Sequence, residues 1–337
     1  MITIKDISKK SGFSVTTVSK ALNNYPDVSK KTRGKILALA KDMGYIPNST
    51  ARNLVRKRSD TIGIIFDELS GVGLRHPLFS KILESFKHTV ELEGFDILFL
   101  SHEINGTKSS YLNHSLRKQA EGVFVVCADF QSDEMVEMYD SSLPLVVIDF
   151  EDERVCNVTA NNQQGVFLAV DKFIQSGHKK IADIHGGKNT FIGGVRKKAF
   201  EDAMAHYSYD VPESYSVEGE YFSKEEGYHA MEELMAIDDA PTAVFCASDM
   251  MAIGAIQAIR DNGKSVPDDF SVIGFDGIEM GQVISPHLTT FRQDTEKMGE
   301  IAGKRLLSMI EKRKRNGCNS IVVDGELIDG ETVKECL

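Results

Sequence analysis

Carboxylates at the ends of apolar runs are the side chains here best placed for recognition chemistry. Asp67 follows Ile62–Phe66, Asp129 follows Val123–Cys127, Asp149 closes Leu145–Asp149, and Asp276 follows Val272–Phe275. Acids at strand tips accept hydrogen bonds from vicinal hydroxyls, such as a sugar or polyol presents. They serve equally as solvated loop acids or helix caps, and capping suits Asp249, since Ser248-Asp249 precedes the helical stretch Met250–Asn262. A second chemistry sits at the other end. Residues 1–60 hold 13 Lys and Arg against 4 Asp and no Glu, a net of +9, within a chain whose formal net charge is −11. Phosphate neutralisation by Lys and Arg drives non-specific nucleic-acid binding, so this end is built to meet a polyanion and the remainder to be repelled by one.

Catalytic patterns are missing. No G-x-x-x-x-G-K-[ST] loop occurs, Gly186-Gly-Lys-Asn fails that pattern, and neither G-x-G-x-x-G after a strand nor H-E-x-x-H is present. The nine His include no metal-spaced pair. The five cysteines (Cys127, Cys156, Cys246, Cys318, Cys336) are scattered and lack a C-x-x-C pair, which predicts reduced thiols and no zinc site. The expectation is a binding protein that is not an enzyme and uses no cofactor or metal. No apolar stretch approaches the roughly 18 residues that span a bilayer, and no charged-then-apolar signal segment opens the chain. Both predict a cytoplasmic protein that does not meet the membrane.

Short helices must position the basic end. Ile4, Ile7 and Ser8 share one face of a helix ending near Ser11-Gly12, where Gly suits a left-handed turn. Ser14 caps a second helix, Val15 to Leu22, with Val18, Ala21 and Leu22 inward and Val15, Thr16, Thr17, Ser19 and Lys20 outward. Ser29 caps a third, with Ile36, Leu37, Ala40 and Met43 as its expected buried stripe, stopped by Gly44-Tyr45 and Pro47. Two short helices and a tight turn make a helix-turn-helix, although a generic three-helix domain has the same outline. The segment Asn48–Arg58, with Arg52, Arg56, Lys57 and Arg58 around Leu54, is too short to hold a helix alone in water. It reads as a flexible basic linker or as a hinge.

From Thr61 apolar runs alternate with helical stretches at βαβ spacing, which predicts parallel sheets. Ile62–Phe66, Asp96–Leu100, Val123–Cys127 and Leu145–Asp149 form one set of strands. The pattern restarts with Ile181–Ile184, Ser216–Glu218, Ala243–Cys246 and Val272–Phe275. The expected fold class is therefore α/β: two doubly wound parallel-sheet lobes preceded by an all-α helix-turn-helix headpiece. Ligands in such lobes sit beyond the carboxyl ends of the strands.

The run Thr3-Ile-Lys-Asp-Ile-Ser through Gly12-Phe-Ser-Val-Thr-Thr-Val-Ser-Lys-Ala-Leu-Asn23, continued by Val28-Ser and Gly44-Tyr-Ile-Pro-Asn48, closely resembles the headpiece of the LacI/GalR bacterial repressors. Ser8 and Ser11 depart from the alanines usual there. The resemblance continues through the chain and implies a headpiece at 1–46, a hinge at 47–60 and a periplasmic-binding-protein-like core at 61–337. Its lobes would be 61–160 plus 289–318 and 161–287 plus 319–337. It implies DNA contacts from Thr3, Ser14, Val15, Thr16, Thr17, Ser19, Lys20, Asn23, Asn48, Ala51, Arg52 and Leu54. Of these, Val15, Thr16 and Lys20 would face base edges, Thr17 and Ser19 would lie near phosphates, and Leu54 would wedge into the minor groove.

Effector contacts implied in the same way are Asp67, His76, Phe79, Asp149, Arg196, Phe222, Ser248, Asp276 and Gln293. Arg196 and Asp276 would bond ligand hydroxyls or carboxylates, and Phe222 would stack on the ligand. Gly71-Val-Gly-Leu-Arg75 is an insertion relative to the family pattern and reads either as a loop closing over ligand or as a surface turn. Asn161-Asn162 replaces a common Asp-Asn pair at a lobe crossover. Taken together, these features predict a homodimeric regulator, a repressor, that binds a near-palindromic double-stranded operator under control of a small molecule. Phe191 and Ile192 stand where a purine site wants polar groups, which favours a sugar. A purine-like or phosphorylated corepressor is the alternative, and a cytosolic sugar receptor with a protein-recruiting headpiece is a third.

Overall fold

The computed structural model describes residues 2–45, 58–68, 71–187, 190–219, 222–312 and 320–336. The chain divides into two compact units, Met1–Asp60 and Thr61–Leu337. In the first, α1 (Ile4–Ser11), α2 (Val15–Leu22) and α3 (Lys30–Asp42) each start on a hydroxyl cap. Thr3 and Asp6 form a reciprocal capping box, while Ser14 and Ser29 accept from Thr17 N–H and Thr32 N–H, each at 3.1 Å. Gly12 sits at φ +74°, the left-handed geometry its position predicts. Ile7, Val18, Ala21, Val28, Ile36 and Ala40 close the small core. Leu37 is the exception. It is 45% exposed, and Leu39 packs in its stead, because positions 36, 39, 40 and 43 follow the helical repeat more closely than 37 does. Ser8 donates to Phe13 O at 2.7 Å, so the hydroxyl that replaces alanine ties α1 to the turn.

The second unit holds two six-stranded sheets. The first half runs β1 (Thr61–Phe66), α4 (Pro77–Leu92), β2 (Asp96–Phe99), a hairpin of β3 (Glu103–Ile104) and β4 (Thr107–Lys108), α5 (Tyr111–Lys118), β5 (Gly122–Cys127), α6 (Asp133–Asp140), β6 (Leu145–Ile148) and β7 (Cys156–Ala160). The second half runs α7 (Asn162–Gln175), β8 (Ile181–Gly186), α8 (Phe191–His206), β9 (Ser216–Gly219), α9 (Lys224–Met235), β10 (Ala243–Cys246), α10 (Asp249–Asp261), β11 (Ser271–Asp276) and α11 (Glu279–Val283). The chain ends with β12 (Thr289–Arg292), α12 (Thr295–Lys312), β13 (Ile321–Val323) and β14 (Glu326–Ile328). Strand orders are β13-β7-β6-β5-β1-β2 and β14-β12-β11-β10-β8-β9. Within these two sheets all pairings are parallel except β12 with β14. Each sheet reverses winding beside its first strand, β1 or β8, so each lobe has a crevice at the carboxyl end of that strand.

Lobe membership differs from the expectation at two places. β12, expected with residues 289–318 in the first lobe, pairs with β11 in the second sheet. β13, expected in the second lobe, pairs with β7 in the first. The chain therefore crosses near Asn161, near Gln293-Asp294 and again at Asp324-Gly325. Strands of three to five residues are too short to show a local period, and β13 reaches its partner β7 across more than 150 positions, which is why β7 and β12–β14 escape a sequence pattern. Asn161 N–H donates to Val323 O and Asn161 Nδ2 to Asp324 Oδ1, both at 2.8 Å, binding two crossovers together. Helix α12 does belong to the first lobe. It lies so close to α4 that a Cβ on Gly299 would meet Ile82 O at 2.4 Å.

The Gly71–Arg75 insertion folds as a turn of 3₁₀ helix, Gly73–Arg75, whose Gly73 N–H is held by Glu68 Oε2 at 2.8 Å. Among the described residues, no helix is long and apolar enough to cross a membrane.

Candidate functional site

On the headpiece, α2 presents Val15, 44% exposed, and Thr16, also exposed. Other expected contacts already have intramolecular duties. Thr3 and Ser14 cap helices, and Thr17 shares a hydroxyl bond with Ser14 at 2.8 Å. Asn23 Nδ2 donates to Ser19 O at 2.8 Å. Lys20 is ion-paired with Asp27. Asn48, Ala51, Arg52 and Leu54 lie outside the described residues.

In the core, four expected residues come together through side-chain contacts. Arg196 on α8 is 3% exposed. Its Nη1 bonds Ala247 O at 2.5 Å and Asp276 Oδ1 at 3.4 Å, its Nε donates to Asn162 Oδ1 at 2.8 Å, and its guanidinium lies 3.8 Å from the Phe275 ring centroid. Gln293 Nε2 donates to the same Asp276 oxygen at 2.7 Å, while its own Oε1 is buried without a hydrogen-bond partner. From Asn162 the chain of bonds continues into the first lobe. Nδ2 donates to Thr159 Oγ1 at 3.3 Å, and Thr159 donates to Asp149 Oδ1 at 2.6 Å. Asp149, at the tip of β6, is thus linked to Asp276, at the tip of β11, by side chains on both sides of a crossover.

This ladder is electrostatically uneasy. Burial pushes Asp276 up to about 6 despite Arg196 and Gln293, and raises Asp149 despite Thr159 and Arg196. Burial also lowers Arg196, opposed by Asp276 and Asp149. When desolvation dominates both partners of an ion pair, the pair favours any added group that supplies hydrogen bonds. Backbone strain collects in the same place. Asp149, Phe222 and Asp276 have φ of +55°, +56° and +120°. For an L-residue such geometry costs on the order of 1–3 kcal/mol, and it persists where its surroundings enforce it.

Phe222 packs on Gly186, where a Cβ would fall 2.2 Å from the ring, and its carbonyl accepts from Ser248 Oγ at 3.3 Å. Ser248, rather than Asp249, caps α10, accepting from Met251 N–H at 3.1 Å. Asp249 is fully buried and binds Ile278 N–H at 2.7 Å and Thr290 Oγ1 at 2.5 Å, so it braces the turn after β11. The cap assignment fails because Ser248, one residue earlier, already has the extended backbone of a cap.

Asp67, His76 and Phe79 lie on the first lobe without a direct bond to the ladder among the described contacts. Asp67 accepts from Tyr111 Oη at 3.2 Å, and Tyr111 also pairs with His102 Nδ1 at 2.8 Å. Burial, with Glu68, Asp67 and Asp149 near it, pushes the Cys127 thiol up to about 12. His76 packs on Phe79 with ring centroids 4.4 Å apart, and burial holds its pKa below the usual value. A cavity of about 50 Å³ between the start of α4 and the Asp276–Ile278 and Arg292–Thr295 segments holds about one or two waters.

Sequence reasoning missed Thr159 and underused Asn162, whose only signal was its place at a crossover. It also missed the contact of Phe150 with Phe191, one from each lobe, with centroids 5.7 Å apart.

Residues 3–48 match the bacterial regulatory proteins of the lacI family, and residues 170–333 match the periplasmic binding protein-like domain. The chain is 36% identical, over 93% of its length and 92% of the other protein's, to the probable HTH-type transcriptional repressor ExuR of Bacillus subtilis (strain 168). This chain belongs to the LacI family. It is a DNA-binding transcriptional repressor, and the protein-recruiting alternative for its headpiece falls with that result. The HTH-type transcriptional repressor PurR of Erwinia tasmaniensis is 33% identical over 99% of this chain and 98% of its own. Among solved structures, a Lac repressor dimer bound to operator and the anti-inducer ONPF superposes with a TM-score of 0.84 at 26% identity, covering 99% of both chains. The transcriptional regulator CelR–cellobiose complex gives a TM-score of 0.71 at 25% identity, covering 98% of this chain and 100% of that one. The relatives are repressors, not enzymes.

Proposed function

We propose that this LacI-family repressor acts as a homodimer on a near-palindromic operator and that a sugar bound between its core lobes controls operator affinity. The observation that carries the reading is the Asp149–Thr159–Asn162–Arg196–Asp276 ladder. Its carboxylates, Asp149 and Asp276, lie at strand tips of opposite lobes, so a ligand that bonds to Arg196 and Asp276 changes what holds the lobes together. A ligand shifts such an equilibrium only through unequal affinity for the two arrangements. The carboxylates Asp149 and Asp276 against one arginine favour hydroxyl donors over a phosphate. Phe222, strained and beside Arg196 at 6.0 Å from ring centroid to guanidinium, offers an apolar face for a sugar ring.

The likeness to PurR supports the second reading, a purine-like or phosphorylated corepressor. A thermal-shift screen of the full-length protein against sugars, sugar acids, sugar phosphates and nucleobases separates the two. A melting shift with neutral sugars or sugar acids, lost in Asp276→Ala, supports the first. A shift confined to nucleobases or phosphates rejects it.

A further inference from the structure

An acid on a surface made for a polyanion weakens binding unless it does something else there. The first 60 residues contain four acids, Asp6, Asp27, Asp42 and Asp60. Asp6 completes the capping box of α1, and Asp60 lies 3.6 Å from Arg58. Asp27 alone is ion-paired with a side chain of the recognition helix, Lys20, and both side chains are about half exposed. The bond to Lys20 holds the Asp27 carboxyl below its usual range, so it stays charged.

The loop carrying Asp27 is fixed. Asn24 takes a left-handed turn at φ +58°, and Tyr25 N–H donates to Lys20 O at 3.0 Å. Arg33 then clamps both sides of Asp27, donating to Tyr25 O at 2.5 Å and Val28 O at 3.2 Å. Val28 is buried in the headpiece core, and Ser29 caps α3 directly afterwards. Asp27 is therefore held toward Lys20 by backbone geometry on every side, unlike an acid on a loose surface loop.

We propose that Asp27 is a specificity-determining positioning residue: it holds the Lys20 ammonium on the recognition face and withholds it from DNA phosphates. This inference rests on the reading that Lys20 faces base edges. An ammonium has three donors, so Lys20 can keep Asp27 and still donate to an acceptor on a base edge such as guanine O6 or N7. Reaching a phosphate instead means exchanging one anion for another, with Asp27 left unpaired beside the duplex. The arrangement suppresses the non-specific mode and favours the specific one.

The test uses full-length protein, a random-sequence 30-base-pair duplex, and a binding site selected from a random pool. Releasing Lys20 to one phosphate steepens the slope of log affinity against log salt by about 0.9 per headpiece, so raising salt from 50 to 200 mM costs about 3.5-fold more per headpiece. Asp27→Asn is expected to tighten binding to the random duplex, to show that steeper slope, and to lose base preference at the pair that Lys20→Met also relaxes. Asp27→Glu restores the parent slope in part. In a Lys20→Met background, Asp27→Asn leaves the slope unchanged.

An unchanged slope and unchanged selected sequence in Asp27→Asn overturn the proposal. So does an equal gain in random-duplex affinity with and without Lys20, since Asp27 then acts only as a repulsive charge. If Lys20→Met alone changes no base preference, the underlying placement of Lys20 is wrong and the proposal falls with it. Melting of each variant, matched to the parent, confirms an intact headpiece.

Discussion

Replacing Asp276 with Asn tests whether the ladder stores strain. Burial moves this carboxyl from 3.8 to about 6, so ionising it inside the fold is less favourable than in the unfolded chain by about 3 kcal/mol. The sign follows from proton counting. Between those two values the folded state binds more protons than the unfolded one, so stability is present at low pH and lost as pH rises through 6. At pH 7.5 the full penalty applies, and at pH 5 about half of it. Asn resembles the protonated acid: it can still accept from Gln293 Nε2 and Arg196 Nη1, and it removes the negative charge next to Asp249, which burial and Asp276 together raise. Asp276→Asn is therefore expected to stabilise the ligand-free core by about 1–3 kcal/mol at pH 7.5, about half as much at pH 5, and hardly at all below pH 4. The same change weakens sugar binding by about 1–3 kcal/mol, since a hydroxyl loses its charged acceptor. Urea unfolding of parent and variant at the three pH values measures the first effect, and taking differences cancels the opposing contribution of the half-buried His76 and the buried His178, whose pKa values desolvation lowers. A variant less stable than the parent at pH 7.5, or equally stabilised at every pH, refutes the reasoning.

Three further outcomes are expected. If about six to ten phosphates are neutralised, operator affinity falls about 10³–10⁵-fold between 50 and 200 mM salt, and a flat titration by fluorescence anisotropy contradicts the electrostatic role of residues 1–60. Gly186→Ala places a methyl where the Phe222 ring now lies, 2.2 Å from its Cζ, and the displaced ring is expected to destabilise the core by about 1–3 kcal/mol and to abolish sugar-induced melting shifts, as calorimetry would show. Leu54→Ala is expected to weaken specific operator binding and reduce DNA bending, whereas Thr16→Ala alters preference at one or two base pairs per half-site; gel mobility and site selection distinguish these from unchanged binding.

The legible parts of the fold were those with local causes. β1, β5 and β10 announce themselves as apolar runs, and Ser14, Ser29 and Gly12 mark helix ends by their own backbone chemistry. β12 and β13 do not: at four and three residues they are too short to show a period, and the lobe of β13 is decided by β7, more than 150 positions earlier. Leu37 was misplaced by one helical step, which a mixed apolar face allows. At the site, Asp276 is legible as a strand-tip acid and Arg196 only through resemblance, and the structure bonds them to each other. Thr159 and Asn162 escaped because a relay exists only once a strand end, a helix start and an arginine from α8 meet. Asp27 escaped for a related reason. A single acid in a basic segment has no pattern, and its meaning appears only when Arg33 fixes the loop that holds it against Lys20.

The central claim is that the cleft controls the headpiece, and the direct measurement is operator affinity with and without a sugar that binds the core. Full-length protein, its selected operator and fluorescence anisotropy suffice, with Asp276→Ala as the control. The account predicts that a sugar raising the melting temperature also changes the operator dissociation constant, by about 5–150-fold for an ordinary allosteric coupling, and that Asp276→Ala loses that change while still binding operator. An operator dissociation constant that stays the same at saturating sugar, for every sugar that binds, contradicts it.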